Sequence, residues 1–185
     1  MAVMKERSAT LTIITVICAF YLWELIDPAI IGTLALYKWD YFAQSHEYYR
    51  LFTVALIHDN SSTLPFHLAF NMMALHSVGV PVERIVGRAR FLIIFFASLL
   101  GGSLASSYFL GWNGYSIGAS GAVFGIFGAF VAVCRKFGGD VRGMMTIIAI
   151  NFAIGFTIGG VDWHAHLGGL IAGALTAKLL LNITK

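Results

Sequence analysis

Charged residues are scarce in this sequence, and their scarcity excludes most classes of soluble protein. Of its 185 residues only 11% are Asp, Glu, Lys or Arg, whereas 58% are hydrophobic, and the mean hydropathy is +0.81. A soluble domain of this length does not need so much apolar surface, so the composition indicates that a lipid bilayer is the solvent. We expect one membrane domain, residues 1–185, without room for a second folded unit.

Cysteine is also scarce, which excludes a disulfide framework and a cysteine-based metal site. The two cysteines, Cys18 and Cys134, both lie inside apolar segments. His164 and His166 form a His-x-His pair, but no third ligand is arranged nearby and no His-Glu-x-x-His motif exists. We therefore expect no metal and no cofactor.

Long apolar segments are what the sequence has instead. A membrane-crossing helix needs about 20 apolar residues, and six segments approach or reach that length. The sequence thus predicts an all-α membrane protein with six transmembrane helices and a long first outer loop, residues 32–63. The predicted spans are approximately residues 10–31, 64–82, 90–111, 117–134, 144–160 and 164–181.

The basic residues indicate how these six spans are oriented. Lys and Arg accumulate in cytoplasmic loops, and placing both termini in the cytoplasm puts ten of the twelve basic residues inside. This bias explains the net charge of +3 better than nucleic-acid binding, which we do not expect. The prediction is a multi-pass protein of the cell membrane with cytoplasmic termini. The inside set is Lys5, Arg7, Arg84, Arg88, Arg90, Arg135, Lys136, Arg142, Lys178 and Lys185, and the outside set is Lys38 and Arg50.

Small residues recur at helical spacing in the third, fourth and sixth predicted spans. Faces of this kind let helix backbones approach closely in a membrane. Spans four and six both run from outside to inside, and Ser120 and His166 lie near their starts. Close packing of the two spans would therefore bring Ser120 and His166 together. The faces contain Ala97, Ser98, Gly101, Gly102 and Ala105 in span three, Gly121, Gly125, Gly128 and Ala132 in span four, and His166, Gly169 and Gly173 in span six.

A serine beside a histidine is the minimum for nucleophilic acyl transfer. The imidazole accepts the hydroxyl proton and later donates it to the leaving amine. A carboxylate commonly orients such a histidine, but spans four and five contain no acid and Asp162 belongs to a loop. The sequence therefore predicts a Ser120–His166 dyad and no triad.

Two polar residues in the second span allow two interpretations. His67 and Asn71 are four residues apart and share one helix face near its outer end. Polar groups in a membrane are costly unless they are satisfied, so the pair suits a helix–helix hydrogen bond. Both also donate hydrogen bonds, as oxyanion stabilisation requires.

Several motifs, in order along the chain, resemble those of rhomboid intramembrane serine proteases. The matching stretches are Gly118-Ala119-Ser120-Gly121, Ala165-His166 followed by Gly169 and Gly173, His67 with Asn71, Glu83-Arg84 with Gly87, and Tyr49-Arg50.

This resemblance implies a rhomboid-like bundle that cleaves transmembrane-helix substrates near their outer ends. It implies Ser120 as the nucleophile and His166 as the general base. His67 and Asn71 would lie at the oxyanion, and Gly118 and Phe124 beside the substrate. The sequence departs from the family pattern at three places: Tyr49 replaces a tryptophan, Phe124 stands where a tyrosine often stacks on the catalytic histidine, and the stretch from His58 to His67 is longer than usual.

Two other functions use the same residues. A non-catalytic rhomboid-like protein would bind membrane proteins, but such a protein is expected to lack the serine or the histidine. A small channel or transporter would need ionisable groups through the depth of the membrane, whereas here they cluster at one end. Span five is poor in small residues, and we expect it to form the mobile side through which a substrate helix enters.

Overall fold

A computed structural model describes residues 8–60, 65–110, 114–157 and 160–182, and within them the chain is an all-α bundle as predicted. A 3₁₀ turn, Val54–Leu56, follows the fourth helix, and a π-helical turn, Leu75–Gly79, joins the fifth to the sixth. The helices are α1 (Ala9–Ile26), α2 (Ile30–Leu34), α3 (Trp39–Ser45), α4 (Arg50–Thr53), α5 (Phe66–Ala74), α6 (Val80–Val86), α7 (Arg88–Phe109), α8 (Ser120–Phe137), α9 (Arg142–Thr157) and α10 (Trp163–Asn182), with two strands, β1 (Leu36–Tyr37) and β2 (Tyr115–Ser116).

Four of the predicted spans, α1, α7, α8 and α10, are long and apolar enough to cross a membrane. The second predicted span is helical from Phe66 to Val86, but the π-helical turn divides it. The fifth, α9, has 16 residues and extends about 24 Å at 1.5 Å per residue, which is less than the thickness of a typical hydrocarbon core. The predicted span 144–160 thus begins two residues after the start of α9 at Arg142, and its last part includes residues outside the described ranges.

The helix α10 packs against both α7 and α8 through the small-residue faces predicted from the sequence. A methyl group added at Gly173 or Gly169 would overlap a backbone carbonyl of α8, that of Gly125 or Gly121 respectively. On the other side of α10, a methyl group on Gly101 would lie 2.5 Å from the Cβ of Ala172. These close contacts fix α7, α8 and α10 relative to one another.

The end of the bundle where α1 begins is tied by Glu83. This carboxylate accepts hydrogen bonds from the N–H groups of Ala9 (2.6 Å) and Thr10 (2.9 Å) and from the hydroxyls of Ser8 and Thr10. These N–H groups start α1 and have no partner within the helix. Glu83 therefore caps the start of α1.

The opposite end of the bundle carries the first loop, which Arg50 holds in place. Its buried guanidinium donates to the carbonyls of Gly32 (2.9 Å) and Ala35 (2.8 Å) and to the Glu47 carboxylate. The strand β1 of this loop pairs antiparallel with β2, so that Leu36 faces Ser116 and Tyr37 faces Tyr115. The pairing fixes the loop against the segment that precedes α8.

Candidate active site

Ser120 and His166 come together at the end of the bundle that carries the β1–β2 pair. Ser120 is the first residue of α8, and His166 lies in the first turn of α10. The Ser120 Oγ is 2.9 Å from the His166 Nε2, which is hydrogen-bonding distance. The contact of α8 with α10 through small residues is what allows two helix starts to place these side chains together.

Phe124 covers the imidazole of His166. The two rings are stacked, with centroids 4.0 Å apart and planes inclined by 7°. Phe124 is one helical turn after Ser120, so it faces the same side of α8. Phe124, which has no hydroxyl, thus contacts the imidazole through its ring alone.

Asp162 does not form a triad with Ser120 and His166. Its carboxylate accepts hydrogen bonds from the hydroxyls of Ser106 and Ser116 and from the N–H of Ala165 (3.1 Å). Among the residues that the structure describes, the Nδ1 of His166 has no hydrogen-bond partner. Asp162 instead caps α10 and ties its start to α7 and β2, which fixes the helix that carries His166.

His67 and Asn71 face the same cavity from α5. The Nδ1 of His67 accepts a hydrogen bond from the N–H of Asp59 (3.1 Å), and the amide of Asn71 donates to the carbonyl of His67 (2.8 Å). Gly118 lies directly against the His67 ring, and a methyl group there would be 2.7 Å from its Cε1. The hydrogen bonds of both polar side chains are thus made within their own helix and the preceding loop, and no bond to another helix appears among the described residues.

A cavity of about 720 Å³ opens beside Ser120 and His166. Its polar lining includes His67, Asn71 and Asp162 near the pair and Asn151 on α9, and its apolar lining includes residues of α5, α8 and α9. Only three residues of α9 are buried, so this helix is the least enclosed side of the cavity. The lining includes Asp59, His67, Phe70, Asn71, Met73, Ser116, Ser120, Val123, Phe124, Phe127, Ile147, Asn151, Ile154, Asp162 and His166.

Comparison with known proteins shows the family of this chain. The family model described as the Rhomboid domain matches residues 45–183, most of the chain. The chain belongs to the rhomboid family. Its similarity to individual rhomboids is substantial: it is 40% identical over 142 residues to Rhomboid protease GluP of Bacillus subtilis (strain 168) and 38% identical over 144 residues to RHOMBOID-like protein 1 of Arabidopsis thaliana.

These alignments cover most of this rhomboid but only part of each relative. They include 72% and 74% of the chain, against 26% of GluP and 35% of RHOMBOID-like protein 1. A third relative, Inactive RHOMBOID-like protein 8 of Arabidopsis thaliana, is 32% identical over 151 residues, which are 78% of this chain and 41% of that protein. Since one relative is named as inactive, membership of the rhomboid family does not by itself establish activity.

Two residues beside the site were not identified from the sequence, Glu24 and His58. Both side chains are fully buried, and the Glu24 carboxylate accepts the N–H of His58 (3.0 Å). The Nε2 of His58 accepts the N–H of Ala119 (3.4 Å), the residue before Ser120. The one signal for Glu24 in the sequence is an acid within an apolar span, and nothing in the sequence connects His58 with Ser120.

Gly118 provides a test of how closely the backbone must approach His67. Its φ of 110° is unfavourable for any residue with a side chain, and a Cβ would meet the imidazole. We expect Gly118→Ala to reduce cleavage of a transmembrane reporter by about 100-fold, because displacing a site group by about 1 Å has that effect. Steady-state kinetics in liposomes measure it.

Gly87→Ala is the matched control for this substitution. Gly87 also has a positive φ, 85°, but a Cβ there meets nothing within 4 Å. Backbone strain of about 1–3 kcal/mol is then common to both variants, whereas the collision with the His67 ring occurs only in Gly118→Ala. Equal activity of the two variants would show that the contact between Gly118 and His67 does not matter.

His58 makes the stability of this rhomboid depend on pH. Burial, reinforced by the nearby His67 and opposed by the Leu56 backbone, lowers the pKa of His58 from 6.5 to about 3. Between these values the unfolded chain binds a proton that the folded chain does not, so stability decreases as the pH falls from 6.5 towards 3. The decrease is at most about 1.4 kcal/mol per pH unit.

Thermal unfolding of wild type and His58→Gln between pH 6.5 and 5 checks this dependence. Carboxylates with ordinary pKa values stay mostly ionised in this range, and the other histidines are common to both proteins. The wild-type midpoint is expected to fall more steeply than that of the variant. Parallel curves would contradict the expectation.

Proposed function

We propose that this rhomboid is an intramembrane serine endopeptidase that cleaves transmembrane proteins with a Ser120–His166 dyad. The observation that supports it most directly is the 2.9 Å distance between the Ser120 Oγ and the His166 Nε2 inside a membrane bundle. The second support is the cavity of about 720 Å³ beside them, which has both polar and apolar lining and room for an extended peptide segment and water. Both groups belong to a single proposed domain, residues 1–185.

In the proposed reaction, Nε2 of His166 accepts the proton of the Ser120 hydroxyl as Oγ attacks the scissile carbonyl carbon. The resulting imidazolium donates that proton to the leaving amine, and the peptide bond breaks to leave an acyl-enzyme. Water, deprotonated by His166, then releases the acid and restores Ser120. Stacking on Phe124 holds the imidazole in the position that a carboxylate would otherwise set, and the reaction needs no cofactor.

The proposed oxyanion donors are the Ser120 N–H, His67 and Asn71. Ser120 starts α8, so its N–H has no partner within the helix and lies at the positive end of the helix dipole. Because Nδ1 of His67 accepts the Asp59 N–H, a neutral His67 ring carries its proton on Nε2, the atom 2.8 Å from the position of a Cβ on Gly118. One N–H of the Asn71 amide is used within α5, and the second is available to a ligand.

The proposed substrates are transmembrane helices, cut near the outer face of the cell membrane. The cavity has apolar lining on α5 and α9, which suits a segment arriving from lipid. We propose α9 as the mobile side because few of its residues are buried. Its ring contacts, Phe152 with Phe124 and Phe156 with Trp163, are worth only about 1 kcal/mol each. Cytoplasmic termini, supported by the distribution of basic residues, put the dyad at the outer end.

Cleavage of a fluorogenic transmembrane substrate in liposomes tests the proposal. Wild type is expected to cleave it, and Ser120→Ala is expected to be inactive while keeping the wild-type thermal midpoint, because the change removes one small, half-buried oxygen. Equal cleavage by the two proteins would eliminate the dyad. A wild type that binds the substrate without cutting it would favour the non-catalytic alternative, for which the named inactive relative is the precedent.

A channel or transporter is the weaker alternative. A conduction pathway would need ionisable groups through the depth of the membrane. Within the described part of the chain, the buried ionisable side chains at the site end are Glu24, Arg50, His58 and His166, and Glu83 is occupied in capping α1 at the opposite end. Ion flux into the same liposomes would be the result that favours this alternative.

A further inference from the structure

Glu24 is a buried acid without a counter-charge. Its side chain is 0% exposed, and in the part of the chain that the structure describes it takes part in no ion pair, while its Oε1 accepts no hydrogen bond. An acid of this kind within a membrane span is costly to keep, so packing alone does not explain it. The hydrogen bond that Glu24 accepts from the N–H of His58 therefore indicates its role.

His58 connects that bond to the serine. The backbone N–H of His58 is held by Glu24, and the ring Nε2 of the same residue accepts the N–H of Ala119. The neighbouring N–H, that of Gly118, is held by the carbonyl of Val54 at 2.9 Å. The end of the first loop thus holds the N–H groups of Gly118 and Ala119, the two residues before Ser120.

The direction of these bonds determines what each side chain must provide. Because Nε2 of His58 is an acceptor, the proton of the neutral ring is on Nδ1, and a protonated ring could not accept the Ala119 N–H. Glu24 provides only an acceptor for a backbone N–H, which a neutral amide oxygen also provides. Each of the two side chains must therefore place a hydrogen-bond acceptor at a fixed distance from its own backbone. Neither acceptor needs to be charged.

We propose that Glu24 and His58 are positioning residues for the nucleophile: Glu24 fixes the backbone of His58, and His58 fixes the peptide group between Gly118 and Ala119, from which Ser120 starts α8. This inference rests on the proposed function. The orientation of that peptide group determines where the Ser120 N–H and Oγ point relative to a bound carbonyl. A shift of about 1 Å there is enough to lower the rate of the chemical step by about 100-fold.

The experiment uses pairs of variants of the full chain in liposomes. At position 58, His58→Gln places an acceptor at about the reach of Nε2, whereas His58→Asn has the same amide on a shorter side chain. At position 24, Glu24→Gln keeps the acceptor and Glu24→Leu removes it. We expect kcat to fall about 10- to 100-fold in His58→Asn and Glu24→Leu with KM nearly unchanged, and to be largely retained in both Gln variants.

Amide hydrogen exchange of residues 117–120 provides a readout that does not depend on cleavage. Exchange is expected to accelerate in His58→Asn and Glu24→Leu and to stay slow in the Gln variants. Similar kcat values for the Gln and Asn variants, a change confined to KM, or a loss that follows thermal stability alone would each overturn the positioning role. If wild type does not cleave, the proposed function fails, and the exchange data alone then decide whether the tie to Ala119 exists.

Discussion

His166→Ala is expected to lower kcat/KM for a transmembrane reporter by about 1,000-fold or more, because it removes the group that accepts the proton of Ser120. Asp162, the carboxylate four residues before His166, cannot replace it, since Asp162 is engaged by Ser106, Ser116 and the start of α10. Reaction of Ser120 with a fluorophosphonate probe is expected to stop as well, since the probe reacts with an activated serine. Both readouts use the protein in liposomes.

His164→Ala is the matched control for this variant. His164 lies two residues earlier on the same helix, outside the cavity lining, and its ring stacks on Phe109. Loss of that stacking, and of the 3.8 Å contact between the His164 Nδ1 and the Asp162 carboxylate, is expected to change stability slightly. The kinetics are expected to stay within about threefold of wild type, because a ring contact is worth about 1 kcal/mol and Asp162 keeps its hydrogen bonds to Ser106, Ser116 and Ala165. Equal losses from the two substitutions would indicate damage to α10 and would argue against His166 as the general base.

Gly173→Ala is expected to destabilise the folded bundle by more than about 3 kcal/mol, the upper range for overpacking a core. The added methyl group overlaps the backbone carbonyl of Gly125, and backbone cannot move aside as a flexible side chain can. Gly169→Ala meets the Gly121 carbonyl in the same way. Because both contacts lie between α8 and α10, each substitution also separates Ser120 from His166, so activity is expected to be lost with stability.

Thermal unfolding in detergent measures this effect, and Gly143→Ala is the control. Gly143 lies in α9, where an added methyl group meets nothing within 4 Å, so that variant is expected to gain slightly from the better helix propensity of alanine. A Gly173→Ala variant as stable as Gly143→Ala would mean that α8 and α10 do not pack backbone to backbone in solution.

The local pattern of the sequence predicts much of the bundle and the pairing of serine with histidine. Apolar runs of membrane length locate the helices, and small residues three and four apart identify the faces that pack. Since α8 and α10 enter the bundle from the same end, those two facts are enough to bring Ser120 and His166 together. The resemblance to rhomboids then supplied roles for His67, Asn71, Gly118 and Phe124, which remain proposals.

Only the tertiary structure placed the groups around that pair. The contact of Gly118 with the His67 ring, the ties of Asp162 to Ser116 and Ser106, and the chain from Glu24 through His58 to Ala119 all join residues that are far apart in sequence. Each involves a loop or a helix start, where backbone direction follows no repeating pattern. Helix periodicity is a local property of the chain and can be read from sequence, whereas the hydrogen bonds of irregular backbone depend on which distant segment packs beside it.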